Sequence, residues 1–357
     1  MSRQSRAAWS GVLLVAVLAA CSEIEPARFE ATDQSSGTQA RLQAVNAVTE
    51  QVVWASGLEG TVVRTVDGGT TWEVLPVAEA ESLQFRDVHA FDSERAYLLS
   101  AGDGEQSRIY KTEDGGASWT LQFLNLEPEG FLDCFDFWDP DTGIAYGDSV
   151  DGELFLLTTS NGGETWGRVA PALLPRAGPD EGGFAASGTC VGTRAGGRVW
   201  VGTGAGGSAR VLRSSDFGRS WEFGETPIVR GEAAGVMSVV FFDNRIGVAV
   251  GGDLGQREKR TANVATTRDG GKTWDAGGPL RFPGPAYGSA VSRRYGRRRP
   301  AMLLAAGPAG LDLSLDRGQT WQAVSDDEYW SVDFGGDSVF WAVGPVGKIT
   351  RFVRPAD

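Results

Sequence analysis

The chain has 357 residues, with 33 basic and 46 acidic side chains, a formal charge of −13, and a single histidine, His89. An acidic chain of this kind is not built as a cationic nucleic-acid binder, and one histidine with three cysteines leaves a His/Cys zinc site or a serine/histidine triad resting on His89 alone. Its 50 glycines, about twice the usual share of ~7%, favour many tight turns over long helices.

Arg3 and Arg6 precede an apolar stretch from Ala7 to Ala20 that closes on Leu18-Ala19-Ala20-Cys21. The stretch is shorter than the ~20 residues a membrane-spanning helix needs and reads as a secretory signal. Its ending resembles a bacterial lipobox, which implies cleavage before Cys21 and a diacylglyceryl group on its sulfur. The expected organisation is a signal peptide over 1–20, a lipidated tether over 21–27 and one domain over 28–354. The expected product is an extracytoplasmic lipoprotein; Ser22 after the lipid site favours the outer membrane, facing the periplasm, if the host is Gram-negative. Export permits a disulfide between the remaining cysteines, Cys134 and Cys190, and a pair of buried free thiols fits the sequence equally well.

Further along, six related segments follow one another: TVDGGTTW (65–72), TEDGGASW (112–119), TSNGGETW (159–166), SSDFGRSW (214–221), TRDGGKTW (267–274) and SLDRGQTW (314–321). Their acidic or amide positions, Asp67, Asp114, Asn161, Asp216, Asp269 and Asp316, are spaced by 47, 47, 55, 53 and 47 residues, a period that signals a solenoid or propeller. The chemistry is that of a turn: Ser or Thr and Asp hydrogen-bond turn amides, and glycine accepts positive φ. Trp72, Trp119, Trp166, Trp221, Trp274 and Trp321 then open the next strand as apolar wedges. Upstream of each turn, short β-branched and aromatic runs separated by Gly and Asp predict three strands, so that each unit has four.

After the sixth turn, YWSVDFGGDSVFWAVGPVGKITRFV (329–353) supplies three strands and no turn motif. Arg28-Phe29-Glu30-Ala31 resembles Thr71-Trp72-Glu73-Val74, and Phe29 precedes Val45 by the same 16 residues that separate Trp72 from Val88. The N-terminal segment therefore completes the last unit. The expected fold is all-β: a seven-bladed propeller closed by an N-terminal strand, leaving no long edge unpaired.

The turn motif resembles the Asp-box, or BNR repeat, of sialidases and other propellers, including those of the WD40/YVTN-like plan. Together with FAASGT (184–189), AGVMSVVFFDNRIGVAVGGD (234–253) and WAVGPVGKITR (341–351), the chain is similar to the Ycf48/Hcf136-like photosystem II stability and assembly factors. That resemblance implies a non-enzymatic assembly or protein-binding role for a lipid-anchored monomer on an envelope or membrane complex, with no cofactor, metal or nucleic acid. The alternative is a carbohydrate-active enzyme or glycan binder. A sialidase would need an arginine triad, and the Arg-Ile-Pro tripeptide of sialidases is missing; the nearest early arginine in a strand is Arg86. A paired-carboxylate glycoside hydrolase would draw on Asp148, Asp151, Glu153 and Asp253.

In a four-stranded meander, loops one-two and three-four share a face, while loop two-three and the connector share the other. The first face carries the repeat turns and a basic cluster, Arg293, Arg294, Arg297, Arg298 and Arg299, a candidate contact for anions. The second carries longer and more varied loops, the usual place for recognition. Asp148, Glu181, Arg230, Asp253 and Arg257 on that face are the candidate binding residues, and no residue is assigned a catalytic role.

Overall fold

Runs such as Val53–Gly57 and Ala96–Ser100 are too short for a stable helix and are buried along their whole length, as strands with a sheet on either side are. In the computed structural model, which describes residues 28–292 and 301–355, they assemble into seven four-stranded antiparallel sheets, six of them simple meanders and the seventh completed by the N-terminal strand. The innermost strands, blades one to seven, are Leu42–Ala47, Phe85–Ala90, Leu132–Phe137, Val191–Arg194, Ala234–Phe241, Gly288–Val291 and Ser331–Phe334. The helical content among the described residues is two single turns, Gly104–Gln106 and Pro171–Leu173.

The ring closes as the sequence predicts. Glu30–Gln34 is the outer strand of blade seven, antiparallel to Ile349–Val353 from Glu30↔Val353 to Gln34↔Ile349. The Thr350 hydroxyl donates to the Asp33 carboxylate at 2.6 Å, and Phe29 meets Phe340 edge-on at 5.0 Å.

The repeat turns share one hydrogen-bond pattern, except that in the third Asn161 Nδ2 donates to the Thr165 hydroxyl. In the first, the Gly69 N–H donates to Thr65 Oγ1 at 2.9 Å, that hydroxyl donates to Asp67 Oδ1, and the carboxylate accepts both the N–H and the hydroxyl of Thr71. These bonds hold the Asp67 carboxyl down at a pKa of about 2. Two glycines at φ 71° and 84° make the turn; where the first is replaced, Phe217 and Arg317 take left-handed φ values of 61° and 66° that side chains disfavour.

Each repeat tryptophan packs against the preceding blade. Trp119 stands edge-on to Trp54 of blade one, Trp274 packs with Trp200 of blade four, Trp321 with Val248 of blade five, and Trp72 donates its indole N–H to Gln34 of blade seven. Phe29 does the same for blade seven, packing into the cluster that holds Leu304 and Leu313 of blade six. The tryptophans are thus the inter-blade wedges, each part of a hydrophobic cluster that spans a blade seam.

At the centre, adjacent inner strands are tied by side chains instead of a ladder. The Ala47 N–H donates to Asp333 Oδ2 at 2.8 Å, Ala90 to Asn46 Oδ1 at 2.9 Å, Phe135 to Asp87 Oδ2 at 2.9 Å and Thr193 to Asp136 Oδ2 at 2.7 Å. Cys134 and Cys190 close the choice the sequence left open: they are disulfide-bonded, Cα to Cα 6.0 Å, and join blade three to the start of blade four.

Candidate functional site

The two ends of the central channel are built differently, and the connector between blades three and four is the reason. After Pro171–Leu173 this connector turns into the channel, and its segment 182–189, which contains the FAASGT run, plugs one end. The Gly183 N–H donates to Asp148 Oδ1, the Ala185 carbonyl accepts from Arg86 Nη1, the Ser187 hydroxyl donates to the Tyr287 carbonyl, and the Ser187 carbonyl accepts from the Ser331 hydroxyl. Four blades therefore grip one strap. Small residues are required there: a Cβ on Gly182 would lie 1.9 Å from Asp148 Oδ1. Phe184 and Ala186 pack with Met237, Tyr287 and Trp330 beneath the strap.

On the other side of the plug, toward the repeat turns, the channel keeps a cavity of about 340 Å³ whose floor is Ser187 to Thr189. His89, Asp136, Arg194, Asn46 and Asp333 stand in its wall. His89 Nδ1 is 3.0 Å from Asp136 Oδ1, and its ring sits between Phe91 and Phe137. These polar groups are largely spent: Asn46, Asp136 and Asp333 are the inter-blade ties, and Arg194 donates to the Phe241 carbonyl.

The residues expected on the plugged, connector-bearing face have separate duties. Glu181 is a correction: it is 1% exposed and accepts two hydrogen bonds of 2.6 Å from Arg210, with a third of 2.6 Å from the Thr203 hydroxyl, so it staples the connector and meets no partner. Asp148 is half-buried under the strap beside Asp133, and burial raises both carboxyls above the usual range, Asp133 the more so because Asp148 lies next to it. Asp253 caps its own loop by accepting the Gly255 N–H. The carboxylate next to Asp148 is the buried Asp133. Arg230 is exposed and pairs with Glu225 at 2.6 Å. Arg257 is exposed. Cys21 and Arg293, Arg294, Arg297, Arg298 and Arg299 lie outside the described residues.

Besides Arg86 and the candidates named above, the residues that line this end were missed in the sequence. A β-bulge interrupts the inner strands of blades one, two, three and five at Leu42/Ala44, Phe85/Asp87, Leu132/Cys134 and Val236/Ser238. Each bulge holds one unpaired residue: Gln43, Arg86, Asp133 and Met237. The signal was present as four aligned strings, LQAVNA, FRDVHA, LDCFDF and VMSVVF, whose second residue varies in chemistry while the rest keep the strand pattern. Arg41 stacks on Trp330 with its guanidinium 4.3 Å from the ring centroid, and Trp330 stacks on Tyr287 at 4.6 Å. Among the described residues, no group of three or more His, Cys, Asp or Glu side chains could hold a metal ion.

Fold and site together define a seven-bladed, four-stranded-blade propeller with one channel end plugged and ringed by arginine and aromatic side chains. Solved structures share this architecture. YCF48 described as bound to a D1 peptide superposes with a TM-score of 0.62 at 17% identity, over 93% of this chain and 97% of that one. YCF48 from Cyanidioschyzon merolae gives 0.64 at 17% identity over 90% and 98%. A GH74 enzyme from Niastella koreensis gives 0.61 at 15% over 90% of this chain and 53% of the enzyme. At these identities the likeness is one of fold. Among curated proteins, a vacuolar protein sorting/targeting protein 10 from Mycosarcoma maydis is 31% identical over 85 residues, 22% of this chain, and the match spans 5% of that protein's length. No family model matches.

Proposed function

We propose that this protein is a lipid-anchored, non-catalytic propeller that binds a protein partner on its plugged face and serves the assembly or stability of an envelope or membrane complex. The observation that carries the reading is the asymmetry of the channel. At the turn end, Asn46, Asp136 and Asp333 are taken up in holding blades together, whereas the plugged end presents Arg41, Arg257 and Arg86, the last donating to Gln84 and the Ala185 carbonyl, with no described carboxylate within 4.0 Å of the three. Shared architecture with a YCF48 described as bound to a peptide supports a protein ligand. Of the carboxylates a hydrolase would use, Asp148 is half-buried under the strap, Asp253 caps its own loop, Glu153 pairs with Arg168 and Asp151 is exposed.

Anchor geometry fits the same reading. The outer strand Glu30–Gln34 begins opposite Val353, at the turn end of blade seven. A seven-residue tether from a lipidated Cys21 reaches at most ~25 Å, so it would hold the turn face toward the membrane and leave the plugged face free. Crosslinking capture from native membranes tests the proposal. Arg230→Glu with Arg257→Glu reduces capture while the melting temperature stays within a few degrees, because exposed changes usually cost ~0.5 kcal/mol or less. An unmodified Cys21 in the N-terminal peptide removes the anchor from the proposal. Turnover of aryl glycosides or sialosides that Asp148→Asn or Asp253→Asn abolishes would replace the binding role with a hydrolase.

A further inference from the structure

We propose that the turn face of the ring is self-complementary, and that two copies of this chain pair on it face to face about a two-fold axis. Acidic blades two and three of each copy lie over basic blades five and four of the other. The inference goes beyond the partner-binding reading and does not depend on it.

The turn chemistry leaves the second and sixth motif positions free to vary. The hydroxyl, the Asp or Asn and the glycines make the turn, whereas Glu113, Glu164, Arg219, Arg268 and Lys272 are exposed. In blade order the second position reads Val66, Glu113, Ser160, Ser215, Arg268, Leu315, and the sixth reads Thr70, Ala117, Glu164, Arg219, Lys272, Gln319. Charge at these equivalent places is thus acidic in blades two and three and basic in blades four and five. The adjoining one-two loops follow the same division: the carbonyl that accepts a turn glycine N–H belongs to Glu94 in blade two, to Asp141 in blade three and to Arg245 in blade five.

Two rings stacked by a two-fold axis in their shared plane run in opposite senses, and each contact occurs twice. The axis through blade seven sets blade one over six, two over five and three over four. In that register every one of these positions finds a chemical match: Val66 meets Leu315, Glu113 meets Arg268, Ser160 meets Ser215, Glu164 meets Arg219 and Glu94 meets Arg245. Phe217, 39% exposed at the fourth motif position of blade four, meets Gly162, which has no side chain.

The basic half is also unsatisfied within one copy. Arg219, Arg245, Arg268 and Lys272 have no described carboxylate within 4.0 Å, because Asp216 and Asp269 of the same turns bond turn amides and hydroxyls. On the acidic half Glu113 has Lys111 at 2.9 Å and is still 62% exposed. A chain of net charge −13 repels its own copy in an arbitrary orientation, so electrostatics select the register that sets acid on base. Exposed ion pairs are individually weak and screened by salt; their number and the apolar contacts set the affinity. The same axis brings the two seventh blades together, so both N-terminal tethers leave one edge of the pair. A lone copy turns this face to the membrane, whereas a pair stands on the shared edge with both plugged faces free.

Sedimentation velocity of the chain from residue 22 onward, which holds every strand of the closed ring, tests this. It forms a dimer whose dissociation constant rises at least tenfold when salt goes from about 0.1 M to about 0.5 M. Glu113→Arg with Glu164→Arg leaves the face basic and the protein monomeric over the same concentrations; Arg219→Glu with Arg268→Glu leaves it acidic and equally monomeric. Mixing the two double variants yields a heterodimer, and a chain with all four substitutions pairs with itself again, because every acid–base contact is restored with its ends exchanged. Melting temperatures stay within a few degrees, since none of the four side chains serves the turn. A chain that is monomeric at every concentration overturns the proposal. A dimer that neither double variant weakens moves the interface to another surface and overturns it too, and a mixture that stays monomeric overturns the blade-to-blade register. Monomer that binds vesicles containing phosphatidylglycerol, and loses them with Arg219→Glu and Arg268→Glu, assigns the basic half to lipid headgroups and overturns the pairing.

Discussion

The two ends of the channel differ in how they treat polar atoms. At the turn end the same eight-residue chemistry appears six times, and the hydroxyl and the carboxylate or amide of each turn find their partners within four residues, although Trp119 Nε1, Trp166 Nε1 and Arg194 Nε have none. At the plugged end no two blades contribute the same residue, as Gln43, Arg86, Asp133 and Met237 show, and several buried donors are left without acceptors. Repetition marks what the ring needs to close; departure from repetition marks the face proposed for recognition. Variants that separate stability from binding test this division.

The largest expected effect comes from removing residues 28–34. Loss of the outer strand of blade seven strips five paired residues from Ile349–Val353 and the Phe29 wedge, leaving an edge that invites intermolecular pairing. The truncated protein should melt far below the full domain and self-associate in size-exclusion chromatography. An unchanged melting temperature in a monomer breaks the account of closure.

Next, Trp274→Ala, at a position 8% exposed, should cost ~3 to 5 kcal/mol in denaturant titration. The half-buried Trp119 should cost less. Neither substitution should weaken partner capture beyond what unfolding explains, because both lie at the turn end. A fully stable Trp274→Ala that fails to capture partner would move recognition to that end.

Removing the disulfide by Cys134→Ser should cost about 4 kcal/mol on the chain-entropy estimate for a loop with a sequence separation of 56. Cys190 directly follows the strap, so this variant should also raise hydrogen exchange over residues 182–189. Exchange that stays as slow as in the oxidised protein would show that the strap is held by its hydrogen bonds alone.

The smallest effect sharpens the comparison through pH. Asp148 has a folded pKa raised above its unfolded value of 3.8 by burial. The unfolded chain therefore ionises first, and stability falls as pH rises from about 3.8 toward the folded value. Asp148→Asn should raise the melting temperature at pH 7.5 and lose that advantage by pH 3.5, while the asparagine still accepts the Gly183 N–H. The repeat-turn aspartates behave oppositely: Asp67, Asp114 and Asp269 sit at about 2, so their contribution is present above about 4 and is lost as pH falls toward 2. A variant whose gain is the same at both pH values would show that the Asp148 carboxyl is not held neutral in the fold.

Blade number, strand order and closure were legible in the residues because they depend on short-range chemistry: a hydroxyl and a carboxylate bonding turn amides two to four positions away, and a period that places a tryptophan at each blade seam. Phe29 was readable by the same logic, standing 16 residues before Val45 as Trp72 stands before Val88. The candidate face was readable only as a face. Glu181 looked like a solvent-exposed charge on a long connector, and its burial depends on Arg210, 29 residues away, which strand patterning does not bring to mind.

What the amino-acid sequence determined by itself, then, is the ring: local turns, apolar wedges and a count of seven blades follow from interactions between near neighbours in the chain. The tertiary structure alone decided which end of the channel is plugged, that Cys134 meets Cys190, and that Arg41, Arg86, Arg257, Tyr287 and Trp330 surround one mouth. Those residues come from blades one, two, five, six and seven, and only closure of the whole ring converts their separation along the chain into a shared electrostatic field.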